Sequence, residues 1–261
     1  MKKFLLATAL AVAAGGASAA SVTLNGTIRD FCAPDIPTAP CTRLSDFEGA
    51  ITGVVTNMTQ ATLGPDGLPV AGANIAAGAS SASNFDLWYR NAPGVNLAQA
   101  FSLTLNETAP GIYSYSNNAF FPIDGQLFGN QGRNHNYHFT LHLEGQISFD
   151  DLTAGDDFNF NFTGDDDLWI FVDGKRVIDL GGVHGAASAN FTEETLKALG
   201  LVAGTSYSLD IFFAERHTTE SNFSITTSLN IRPNDVPEPA TLLLVGAALA
   251  GLGAARRRAA R

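Results

Sequence analysis

The chain has 261 residues, of which 45% are hydrophobic and 15% charged, with a net charge of −10. Setting aside the two apolar ends leaves residues 21–236, with nine basic against 24 acidic side chains and a net charge of −15. That balance excludes a nucleic-acid partner, whose affinity rests on basic patches. The length suits one ordinary domain with a sizeable core.

Lys2 and Lys3 precede the apolar run "FLLATALAVAA" and the small-x-small pattern Ala17-Ser18-Ala19. This order predicts a secretory signal peptide over residues 1–20, cleaved near Ala19 or Ala20. "SVTLNGTI" then opens the mature chain as a strand. Cys32 and Cys41 follow, with eight residues between them. In an oxidising compartment this even pair predicts one local disulfide, since no histidine flanks it at zinc spacing.

Segment 59–84, rich in small residues and glycine, reads as a long surface excursion. Strand signals resume with "AFSLTLNE" and "GIYSYSN". "YHFTLHLEGQISF" sets Tyr137, Phe139 and Leu141 against His138, Thr140 and His142. "DFNFNFTG" sets Phe158, Phe160 and Phe162 against Asn159 and Asn161, the period of a strand with one buried face. "LWIFV" and "RVIDL" flank Asp173-Gly174-Lys175, a hairpin signal because Asp and Gly tolerate positive φ. Asp173 is therefore read as a turn former. "NFTEETLKALG" predicts one short helix, with Asn190 as N-cap, Glu193 three residues on and Gly200 as its stop. "SYSLDIFF" and "NFSITTSLNI" are the last strands. Eight or more strands with one short helix predict an all-β fold, an antiparallel β-sandwich or jelly-roll-like barrel over residues 21–231.

Residues 232–261 form a linker and a tail. Val236-Pro237-Glu238-Pro239 precede an apolar stretch, Ala240 to Ala255, that ends at Arg256, Arg257 and Arg258. The stretch is short for a spanning helix, which needs ~17–25 residues, and the arginines would stay cytoplasmic. Motif, short transmembrane helix and basic end together resemble the PEP-CTERM sorting tail. That resemblance implies that Pro237, Glu238 and Pro239 are read by an exosortase-type sorting enzyme, with transient passage through the inner membrane of a Gram-negative bacterium. A permanent C-terminal anchor is the rival reading.

A second resemblance spans residues 26 to 231. "GTIRDF", "SDFE", "FDLWYRNAPGVN", "FFPIDG" and "NHNYHFT" occur in order, followed by "FTGDDDLWIFVDGKRVIDLGGVH" and "FFAERHTTESNFSITTSL". The series is similar to the fibro-slime domain, a bacterial relative of the protective-antigen-type β-barrel. The relationship implies a barrel of about a dozen strands and an association with cell-surface, slime or matrix material. In lectin-like members, such as yeast flocculins, two consecutive aspartates bind a calcium ion that holds sugar hydroxyls. Asp165 and Asp166 match that pair. Asp167 stands where many relatives carry glycine, a departure from the pattern.

Elementary electrostatics meets the resemblance here. Three adjacent carboxylates beside an apolar strand repel one another, and a divalent cation relieves that repulsion. Calcium takes six to eight oxygens at roughly 2.3–2.6 Å. Neighbouring side chains on a strand point to opposite faces, so Asp165 and Asp166 share an ion only if the backbone bends, as a non-proline cis peptide would allow. A second loop, "AERHTTESN", offers Glu215, Asn222 and backbone carbonyls of 217–221. Asn222 is preferred because the lectin relatives use an amide there. Asp165–Asp167 capping a turn through backbone hydrogen bonds is the alternative. An EF-hand is excluded: counting from Asp157, position six is Phe162 and position twelve Leu168.

Glu215 and Arg216 also read as an ion pair at a strand end. His217 and His184 are each either hydrogen-bonded structural groups or ligands. Trp88, Tyr89 and Trp169 are candidates for stacking on sugar rings, with core packing the simpler role for Trp169. Asp166 and Glu215 form the only carboxylate pair posed for glycoside hydrolysis. No nucleophile elbow, "HExxH" or phosphate loop accompanies them. The sequence therefore predicts an exported, non-enzymatic cell-surface or matrix protein that binds extracellular polysaccharide through calcium, or a structural matrix component in which calcium only stiffens loops.

Overall fold

The computed structural model describes residues 20–37, 39–150 and 159–234. The expected leader, Phe158 and the tail with Pro237, Glu238 and Pro239 lie outside the described residues. Eleven strands form in chain order: β1 (Ser21–Phe31), β2 (Asn96–Ala109), β3 (Ile112–Asn117), β4 (Phe139–Ser148), β5 (Asn159–Asp165), β6 (Asp167–Val172), β7 (Lys175–Leu180), β8 (Ala187–Thr192), β9 (Tyr207–Glu215), β10 (Asn222–Thr227) and β11 (Asn230–Pro233). They join one sheet in the order β7-β6-β9-β4-β1-β2-β3-β10-β5-β8, with β11 beside β4. Each pairing is antiparallel. The edge strands β7 and β8 follow one another in the chain, so the sheet curls until it is nearly closed.

Alternation places one face of each strand inside the curl. Phe139, Leu141 and Leu143 of β4, Leu168, Ile170 and Val172 of β6, and Leu209, Ile211 and Phe213 of β9 all enter this inner core. Phe120 stacks on Phe223 of β10 at 4.8 Å. Each large apolar side chain buried this way contributes ~1.5–3 kcal/mol.

The opposite face of β6 and β9 is covered as well. Trp169, Phe171, Phe212 and Ala214 pack against Leu44, Phe47, Met58, Ala79, Phe85 and Trp88 in an outer core. This explains the unbroken apolar run of β6, all six of whose residues are buried: a strand covered on both faces does not alternate. For the same reason His138 and Thr140 are buried and not on a polar face. Segment 59–84 is thus no free excursion. It forms two single-turn helices, α1 (Ile75–Gly78) and α2 (Ala82–Phe85), and packs Leu63, Leu68, Ala71 and Ile75 on the outer core. Leu63 N–H donates to the Gly174 carbonyl at 2.9 Å, tying the segment to the β6–β7 hairpin. In that hairpin Asp173 and Gly174 sit at φ 51° and 68°, as its turn requires.

The Cys32–Cys41 disulfide is formed and closes the loop between β1 and the outer layer. The predicted helix is shorter than its sequence signal. Asn190 lies in β8, and α3 (Glu193–Ala198) is capped by Thr192 and Thr195 in a reciprocal pair. Gly200, at φ 82°, follows its end. "NFSITTSLNI" divides into β10 and β11.

Candidate functional site

Three consecutive aspartates bridge β5 and β6, and the sheet register decides what each one meets. Asp165 pairs with Asn222 of β10, and Asp167 with Ala214 of β9. The peptide between Asp165 and Asp166 is cis.

Asp167 shares a face with Trp169 and Phe171 and therefore points into the outer core. Its Oδ1 accepts the Gly182 N–H at 2.6 Å and its Oδ2 the Arg216 Nε–H at 2.5 Å. Both partners of this ion pair are fully buried. The guanidinium also donates to the Asp46 carbonyl at 3.0 Å and lies 4.5 Å from the centroid of the Trp88 ring. Burial works against the charge on Arg216, but Asp167 outweighs it and holds the guanidinium above its ordinary range. Asp167 is thus spent on a protein cation, which removes it from the expected calcium shell. Glu215 ends β9 and Arg216 follows it directly, and their side chains part, Glu215 to the His217 N–H and Arg216 to Asp167. The ion pair expected between them is replaced by Arg216–Asp167.

Asp165 and Asp166 face the other way. Asp165 accepts the backbone N–H of Asn222, and its Oδ2 accepts the Asn222 Nδ2–H at 2.8 Å. Asp166 accepts the His184 N–H at 3.1 Å and the Arg216 N–H at 2.9 Å. The capping bonds of the alternative reading are therefore present. The two residues nevertheless open on one cavity of about 150 Å³, also lined by His184, His217, Thr219 and Glu220. Glu215 and Asn222 flank this cavity without lining it. Glu215 Oε1 accepts the His217 N–H at 3.3 Å, and the buried Ser221 hydroxyl steadies the same carboxylate.

The electrostatics follow from this crowding. Burial pushes Asp166 up to about 8, with Arg216 opposing and Asp167 adding to the rise. Burial raises Glu215 well above the carboxylate range, and Asp166 and Asp165 push in the same direction. Asp165 is raised by burial, against its bonds from Asn222. Burial thus favours the protonated form of all three, and Asp166 and Asp165 add to the rise at Glu215. Hard oxygen donors at this density fit a calcium-like cation better than a soft metal. Among the described residues, three histidine or carboxylate donor atoms within 4.8 Å of one another occur only at His142, Glu144 and Asp210, on the sheet face. Asp165 and Asp166 are the aspartates that line the cavity, and all four of their carboxylate oxygens accept hydrogen bonds from the protein.

Glu48 was not foreseen from the sequence. Its N–H donates to the Arg216 carbonyl at 2.6 Å, Oε1 accepts Thr218 Oγ1–H at 2.6 Å, and Oε2 lies 3.0 Å from His138 Nε2. Burial opposes its charge, but His138 and Thr218 outweigh that cost and hold it down to about 2. It pins the start of the loop that forms one wall of the cavity. The short "SDFE" stretch carried it, with no signal of this role.

Trp88 and Tyr89 are corrections. Both are buried in the outer core and present no face to a ligand. Trp88 Nε1 donates to Asp46 Oδ2 at 2.9 Å, and Tyr89 packs edge-on against Phe212 at 5.0 Å. His217 does line the cavity, half-buried, with Nδ1 at 3.6 Å from Glu48 Oε1. Trp169 is core, as its strand implied.

A model of the PA14 domain matches residues 110–240, half of the chain. The chain belongs to the PA14 domain family. A second model, the PEP-CTERM protein-sorting motif, matches residues 235–258. Protein psiQ of Dictyostelium discoideum is 41% identical over 194 residues, 69% of this chain, and protein psiC of the same organism is 37% identical over 230 residues, 81% of this chain. The chain spans about a fifth of psiQ and 42% of psiC. Among solved structures, a PA14 sugar-binding domain from an RTX adhesin is 14% identical at a TM-score of 0.36, covering 81% of this chain and 95% of its own. The PA14 domain of the MpAFP antifreeze protein is 9% identical at a TM-score of 0.35, covering 87% of this chain and all of its own. In this member, β1 and β2 both precede the matched stretch, yet they occupy the middle of the sheet.

Proposed function

We propose that this PA14 domain is an exported, non-enzymatic surface protein that binds extracellular polysaccharide through a calcium ion held by Asp165 and Asp166. One observation carries the reading: two adjacent buried carboxylates, Asp165 and Asp166, open on a single cavity. In this reading calcium neutralises the pair, Asn222 or loop carbonyls complete its protein ligands, and sugar hydroxyls take the remaining positions. The chain's own part is to exclude water on the buried side, to hold the carboxylates in place through His184, Arg216 and Asn222, and to present His217 at the rim. The sorting motif supports export to the cell surface or matrix of a Gram-negative bacterium, with exosortase-type processing of the tail.

The test is a glycan array probed with the full chain in calcium, then in EDTA, with Asp166→Asn alongside. Sugar binding that disappears with EDTA and with the variant supports the reading. Binding untouched by either defeats it. A melting temperature that responds to calcium while no glycan binds assigns the ion a structural role in a matrix protein.

A further inference from the structure

The acid cavity, at about 150 Å³, is smaller than the roughly 300–1,000 Å³ of sites that enclose a small molecule. It has room for an ion and one edge of a sugar. Across the loop that follows β9 lies a second cavity of about 510 Å³, and Thr219 and Glu220 line both. Resting on the calcium reading above, we infer that this larger groove is a second carbohydrate subsite, and that the ligand is an internal run of a polysaccharide chain and not a chain end.

The groove's lining is the chemistry a pyranose needs. Phe121 and His135 stack at 4.0 Å, 9° from parallel, and Tyr137 meets Phe121 edge-on at 4.9 Å. His135 cannot turn freely, because Nδ1 lies 2.7 Å from Asp124 Oδ2 while Oδ1 of the same carboxylate accepts the Asn136 N–H at 2.7 Å. The result is a fixed aromatic wall suited to the apolar face of a sugar ring. The exposed amides of Asn118 and Asn134 supply both donors and acceptors for hydroxyls. Asn222 stands between the cavities: it lines the groove and binds Asp165. A chain that places one hydroxyl pair at the acid cavity continues over Thr219 and Glu220 into the groove. A peptide ligand is served less well, since it seeks an open sheet edge or apolar pockets.

The test uses the full chain in calcium on a printed array of β-1,4-glucan, β-1,3-glucan, α-mannan and poly-β-1,6-N-acetylglucosamine, each as mono-, di-, tetra- and hexasaccharide. The expected result is binding at least tenfold tighter for the tetra- and hexasaccharide of one series than for its monosaccharide. Ala119→Arg, placed at an exposed position on the groove's lip, should erase that length advantage while its melting temperature stays that of the parent. Phe121→Ala should do the same by removing the wall. Equal binding at every length, or a length advantage that survives Ala119→Arg, overturns the groove even where EDTA abolishes binding and the calcium reading stands. A length advantage lost in Ala119→Arg yet indifferent to EDTA and Asp166→Asn supports the groove and defeats the calcium reading. Binding to no member of any series overturns the groove, and so does capture of peptides alone.

Discussion

Asp166 and Asp167 are neighbours in the chain, yet they end in opposite settings. Asp167 turns into the outer core and meets Arg216, which Trp88 and the Asp46 carbonyl hold from the other side. Asp166 turns into a cavity it shares with Asp165, where burial lifts its proton affinity more than Arg216 lowers it. Both are buried. The first neutralises its charge against a buried guanidinium and holds two layers together; the second meets only backbone N–H groups and is pushed up to about 8. The same protein thus displays the two ways of burying a carboxylate that burial alone would forbid.

The contrast breaks most sharply at Arg216. Replacing it by Met leaves Asp167 buried without its cation and should cost ~3–5 kcal/mol in urea unfolding. Adding Asp167→Asn should recover at least half of that loss. A cost below ~1 kcal/mol would show that the pair does not hold the outer core.

A third buried acid, Asp30 at the end of β1, calibrates what neither partner nor cavity means. Burial lifts it to about 7, against bonds that include the Phe128 N–H at 2.8 Å. Its folded pKa exceeds its unfolded value, so its stabilising contribution is full below about 4 and is lost as pH rises through about 7. The difference in unfolding free energy between the parent and Asp30→Asn should therefore shift by ~2–4 kcal/mol in favour of the variant between pH 4 and pH 8. A difference that does not change with pH refutes the assignment.

At the cavity, calcium at a hundredfold excess over its dissociation constant should stabilise the parent by ~2.7 kcal/mol, read as a rise in melting temperature. Asp166→Asn should not respond, whereas magnesium, which prefers a smaller octahedral shell, should do less than calcium in the parent. The smallest effect tests the correction at Trp88. Trp88→Phe loses the hydrogen bond to Asp46 and weakens the contact with Arg216, for ~1–2 kcal/mol, and should leave any glycan binding unchanged. Loss of binding without loss of stability would return Trp88 to the ligand surface.

How much of this was legible followed the period of the sequence. The strands announced themselves by alternation, as at Phe160 and Phe162, or by a run too apolar for one face, as in β6. Strand β8, "ASANFT", did not, because its inward face is two alanines and Phe191, too little apolar bulk to mark a period. Its asparagine was therefore read as a helix cap. The outer layer was invisible for a different reason. Leu44, Phe47, Met58, Ala79 and Phe85 are spaced through loops and the single turn of α2 without any period, and only the folded sheet shows that they converge. Likewise the adjacency of Asp165 and Asp166 was plain in the chain, whereas the fate of Asp167 depended on the register that brings Arg216 opposite. Glu48 lies 170 residues from the threonine it binds, a separation no local pattern reports.

The register of β4 carries a last consequence. Phe139, at its start, is level with Glu215, whereas Pro233, where β11 releases the chain toward the sorting motif, is level with Gly145. Six residues of strand separate them, about 20 Å at ~3.4 Å per residue. The chain therefore leaves the sheet toward the sorting motif well away, along β4, from the end where the aspartates gather.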